Sequence, residues 1–214
     1  MSVGRALRLS LADFYHHSWR LLILNTALSV VLIAVLVVAL FAPLAVVLVL
    51  LLGPLAAALM HCAVTLAQTD DLALRDAAIG LRLHWRRGFA LALLAGAVAV
   101  VGLVAVTFYG RAGAVAWPLG AAVLYLLLGF YIFQLHLWPL AIHERERPLT
   151  AVLRTAFFAV LRRPLASVGF GLALLLVNTL GFAAAILPFL TLTIAYSFLA
   201  AAHFALPSSP IREA

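Results

Sequence analysis

The stretch LLLGPLAAALMHC, residues 50–62, sets a Gly-Pro pair inside an unbroken apolar run and a histidine near its end. Apolar sequence continues on both sides: no charged residue occurs between Leu21 and Asp70, Gly88 and Arg111, Ala112 and Ile142, or Pro164 and Pro210. Each stretch holds one or two spans of about 20 residues. With 67% of its 214 residues hydrophobic, 10% charged and a mean hydropathy of +1.20, the chain lies outside the balance of soluble domains and belongs in a bilayer. Hydrocarbon offers backbone amides no partners, so runs this long must be helices; a barrel would need apolar-polar alternation, which is missing. Breaking the runs at Pro and Gly predicts an all-α protein of six transmembrane helices, about 21–41, 44–67, 88–109, 117–141, 165–186 and 188–206, in a single integral-membrane domain over 1–214. The first apolar segment is too long for a signal peptide and runs straight into a second span.

The 14 basic residues are all arginine and lie asymmetrically. Only Arg111 falls between spans on one side; the others precede span 1, separate spans 2 and 3 or 4 and 5, or follow span 6. By the positive-inside rule both termini are expected in the cytoplasm, on a face of net charge about +6 that also carries all seven acids. Arg75, Arg82, Arg86, Arg87, Arg162 and Arg163 are the candidates for contact with anionic lipid headgroups, at about 1 kcal/mol each. RLHWRRG and HERERP are too short, and too well explained by topology, to indicate nucleic acid.

One unit recurs three times, at about 5–67, 72–141 and 149–206: a basic amphipathic segment, an outgoing span, a turn and a returning span that starts near proline. Trp19-Arg20, Trp85-Arg86 and Leu161-Arg162 correspond, as do Pro43, Pro118 and Pro188. Each returning span then carries one histidine: His61, His136 and His203. An offset of 18 residues in the first two units is roughly 27 Å of helix, which puts these histidines toward the basic face. The segment after Asp71, a candidate N-cap, lines Arg75, Arg82 and Arg86 along one stripe and is expected to lie in the interface plane. Leu149, Leu153, Phe157 and Val160 form the matching apolar stripe of the third unit.

Asn25, Gly53-Pro54 with its following alanines, LRLHWRRGF (81–89) and YIFQLHLWPLAIHERERPLTAVLRTAFFAVLRRPL (131–165) together resemble the YesL-like family of bacterial multi-pass membrane proteins. His61 departs from it, because relatives more often carry an aromatic or aliphatic residue there. The resemblance implies six helices and an association with carbohydrate uptake, hence a sugar ABC transporter as a candidate partner.

Gly53, Pro54 and Ala57 read as a kink and a close helix approach, with Ala92/Gly96, Ala95/Ala99 and Gly169/Ala173 as similar small-residue spacings. A broken helix lining a substrate path is the alternative. Asn25, His61, Gln134, His136 and His203 form a candidate polar cluster if the three units close into a ring. Three imidazoles could then bind zinc, although each could equally bond a neighbouring helix. Asn178 reads as interhelical glue or as a substrate contact. No catalytic arrangement or cofactor motif occurs, and no carboxylate lies within a span to relay protons. The sequence thus points to a non-enzymatic accessory partner of a transporter, with a channel for a small neutral solute or a histidine metal site as alternatives.

Overall fold

A computed structural model describes residues 2–184 and 192–206. Among them the chain is helices and short turns, with no strand: α1 (Val3–His16), α2 (Ser18–Phe41), a 3-10 segment (Pro43–Leu51), α3 (Leu52–Thr69), α4 (Leu74–Arg111), a short 3-10 turn (Ala114–Ala116), α5 (Trp117–His143), α6 (Leu149–Arg162), α7 (Pro164–Ala184) and α8 (Ile194–Ala205). Five helices are long and apolar enough to cross a membrane: α2, the 3-10 segment with α3, α4, α5 and α7. At 12 residues, roughly 18 Å, α8 is shorter than a full crossing. Pro188 and the start expected for span 6 lie outside the described residues, as do the last two residues of expected span 5.

Gly53-Pro54 marks a change of helix type rather than a kink within one helix. The backbone runs as 3-10 helix to Leu51 and as α-helix from Leu52, so Pro54 sits in the first turn of α3, where a missing N–H costs little. At its other end α3 stops at Asp70, whose φ of 58° is left-handed and whose N–H still reaches Leu66 O at 3.1 Å.

Residues 74–87 do not form a separate interfacial helix. They continue into span 3 as one helix of 38 residues, roughly 57 Å, nearly twice the hydrocarbon thickness of about 30 Å. RLHWRRGFALAL contains no proline, and its one interruption, Gly88, is held by packing, so nothing bends the chain into the interface plane. Asp71 is also not the N-cap. It accepts from Leu72 N at 2.7 Å, while the first turn of α4 is closed by Asp76 Oδ2 accepting from Ala73 N at 2.8 Å.

The core sits in the arginine-bearing half of the molecule. α3 is the most enclosed span and packs against α2, α4, α5 and α8. Ala57, Ala63, Ala200 and Ala202 let these helices approach closely, and Leu66, Leu137, Leu199 and Phe170 fill the space between them, all at 1% exposure or less. Toward the other end α4 and α5 lose this cover: Val100, Val101, Leu103, Val104 and Phe108 on α4 and Leu119, Leu124, Tyr125 and Leu126 on α5 are all more than half exposed.

Candidate functional site

α3 and α4 meet backbone to backbone. A Cβ added at Gly88 would lie 2.5 Å from Gly53 O and 2.8 Å from Ala57 Cβ, and one added at Gly53 would strike Gly88 O and lie 2.5 Å from Ala92 Cβ. Along α4, Gly80, Gly88 and Gly96 recur every eight residues on one ridge, facing His61, Gly53 and Leu50 in turn. Gly53, Ala57, Gly88 and Ala92 line this close approach, whereas Gly96 meets the Leu50 side chain at an ordinary contact distance of 3.6 Å. Among the described residues nothing packs against Gly169, so the Gly169/Ala173 spacing joins no helix pair there, and Ala99 is exposed.

The three histidines of the expected polar cluster each meet a different partner. His61 packs against Gly80 and against His84, with ring centroids 5.2 Å apart. His136 Nε2 is hydrogen-bonded to Ser167 Oγ on α7 at 3.1 Å, and both residues are buried. His203 Nε2 lies 2.7 Å from Asp13 Oδ2, joining α8 to α1. Asn25 is fully buried in α2. Among the described residues no three His, Cys, Asp or Glu side chains gather to hold a metal ion, so the triple-histidine arrangement is not formed. The reason is architectural: each returning span turns its histidine toward the helix packed against it, not toward a common axis.

Asp13 is the group that linear reading passed over, because it lies on a short basic helix outside any span. Phe14 meets Tyr196 edge-on, and the Tyr196 hydroxyl donates to Leu7 O at 3.2 Å, so α1 is folded against α8 and carries its carboxylate into the bundle.

Arg87 also has another role. Its guanidinium donates to Ala141 O at 2.7 Å, to Glu144 O at 3.0 Å and to Arg147 O, gathering the carbonyls at the C-terminal end of α5. Arg20 does the corresponding work after α3, bonding Asp71 Oδ1 at 3.3 Å and Leu72 O. Arg75, Arg82, Arg86, Arg162 and Arg163 are exposed. Arg162 and Arg163 border a cavity of about 260 Å3 with His136, Ser167 and Phe204.

Asn178 Nδ2 donates to Leu174 O within α7 and to Ser197 Oγ on α8, both at 2.8 Å. These two residues edge a second cavity of about 310 Å3 whose walls come from α3, α5, α7 and α8 and include Gln134, Tyr131 and Trp138.

The described residues are all helix and turn, with five helices long and apolar enough to cross a membrane, an arrangement compatible with a multi-pass membrane protein and held together by small-residue seams and interhelical polar pairs. Comparison with protein-family models, with curated proteins and with solved structures finds no match.

Proposed function

We propose that the chain is a six-span protein of the bacterial inner membrane, built of three hairpin units with both ends cytoplasmic, that performs no reaction of its own and serves as an accessory or assembly partner of another membrane protein. The observation that carries this reading is the uncovered outer arm of α4 and α5. Only 6% of the spanning window of α5 is inside the protein, against 44% for α3. A partner's helix laid on that arm would gain van der Waals contact that lipid chains supply less well. The polar side chains meanwhile are engaged in joining α1 to α8, α5 to α7, α7 to α8 and α4 to the end of α5, the work of a scaffold.

Arg20 and Arg87, one position out of the register that pairs Trp19-Arg20 with Trp85-Arg86, each close over the exit of the returning span of their own hairpin. Exposed Arg75, Arg82, Arg86, Arg162 and Arg163 would meet anionic headgroups on the cytoplasmic side. A sugar ABC transporter as the partner, and YesL-like membership, rest on the sequence resemblance alone. A solute channel is the weaker reading, because fully buried Leu137, Leu199 and Phe170 occupy the centre.

The test is in-membrane photocrosslinking from Val101 and Leu124, followed by purification in mild detergent. One stoichiometric membrane protein joined at both positions supports the proposal; labelling of lipid alone overturns it.

A further inference from the structure

The cavity beside Gln134 carries an inference beyond the accessory role. Gln134 Oε1 and Nε2 are both shielded from solvent and neither has a hydrogen-bond partner. Burying an unpaired amide is unfavourable, and Asn178 and Ser197, which share the cavity wall, offer no relief. Asn178 Nδ2 is already committed to Leu174 O and Ser197 Oγ, and the Ser197 hydroxyl donates to Thr193 O at 2.7 Å. The remaining walls are mostly hydrocarbon and aromatic: Met60, Leu175, Ile194 and Phe198 around Gln134 and Trp138. Gln134 lies nine residues before the end of α5, roughly 14 Å along the helix, and Asn178 lies 14 residues into α7, roughly 21 Å, so the cavity sits at membrane depth.

We propose that this cavity binds a neutral amphiphile with a hydrocarbon body and one hydroxyl group, the hydroxyl donating to Gln134 Oε1 and accepting from Nε2. A glutamine side chain presents one acceptor and one donor side by side, and a single hydroxyl can satisfy both. No lining residue carries a charge at neutral pH, which disfavours a fatty acid or an ammonium headgroup. A sugar fits no better, because its several hydroxyls would face carbon. A volume of about 310 Å3 is at the small end of ligand sites, which run about 300–1,000 Å3. Leu175 at the rim is 43% exposed, and at this depth exposure faces lipid, so the ligand enters from the bilayer. Met60 on the α3 wall adapts its shape to differing chains.

The experiment uses the full chain in phosphatidylcholine nanodiscs and a radiolabelled 1-dodecanol carrying a diazirine at its far end. The expected result is covalent label on the peptides around Leu135, Leu175 and Phe198. Unlabelled 1-dodecanol should compete roughly two- to tenfold better than dodecane, the worth of about one net hydrogen bond, and dodecylammonium should not compete. Gln134→Leu should equalise dodecanol and dodecane while keeping the label in place. Leu175→Trp, which narrows the rim at an exposed position, should reduce total label. Equal competition by dodecanol and dodecane in the unaltered protein, label confined to other peptides, or a hydroxyl preference that survives Gln134→Leu would each overturn the proposal. None of these results bears on the partner crosslinks from Val101 and Leu124.

Discussion

Asp13 and His203 stand 190 positions apart in the chain and 2.7 Å apart in space, both more than nine-tenths buried. This contact ties the first helix to the last. Removing one partner leaves the other polar group buried without it, so Asp13→Ala should destabilise the protein by about 1–3 kcal/mol. Asp13→Asn keeps a hydrogen-bonding oxygen beside the ring and should cost clearly less. Thermal unfolding in detergent, followed by tryptophan fluorescence, measures both. Equal losses for the two variants would mean that the contact is packing alone.

The Gly53–Gly88 approach predicts an asymmetry between neighbouring small residues. Gly53→Ala and Gly88→Ala each place a methyl group against backbone of the facing helix and should cost about 2–3 kcal/mol or more. Gly169→Ala, on the open face of α7, should change stability by less than about 0.5 kcal/mol. The three variants are compared in one series of melting curves. A Gly169→Ala loss as large as the others would place an unrecognised surface against α7.

Arg87 and Arg86 are adjacent in sequence and should differ in effect. Arg87→Met removes the donor from three carbonyls and should loosen residues 141–147, which hydrogen exchange would show as faster amide exchange there. Arg86→Met leaves that segment unchanged and weakens association with anionic lipid vesicles instead.

Gln134→Leu removes two buried polar atoms that have no partner and should raise stability by about 1–2 kcal/mol in lipid-free detergent. A lower melting temperature would show that the amide is satisfied in the folded protein.

Much of the helix plan is legible in the sequence, because a bilayer reduces secondary structure to counting apolar residues between arginines. The Gly53 and Ala57 seam was legible too, since close helix approach in lipid demands small side chains. Its partner ridge of Gly80, Gly88 and Gly96 was not found, because an eight-residue spacing that straddles a charged segment looks like ordinary composition. The fusion of 74–87 with span 3 was missed for a related reason: a change from charged to apolar sequence changes the environment and not the helix. Placing His61, His136 and His203 in one cluster assumed that equal depth means shared direction. Depth follows from rise per residue, whereas direction depends on which neighbour each helix packs against, and Asp13, Ser167 and His84 lie far from their partners in sequence or on another helix.

Impermeant maleimide labelling of single cysteines tests most directly whether the hairpins enter and leave from the arginine-bearing side. Cys62 is fully buried and gives a low background. Ser2→Cys, Asp71→Cys, Glu146→Cys and Arg111→Cys are each introduced and labelled in intact and in opened spheroplasts. The expected result is label at position 111 in intact spheroplasts, and at 2, 71 and 146 only after opening. Position 111 sharing a compartment with position 71 or 146 would contradict the account.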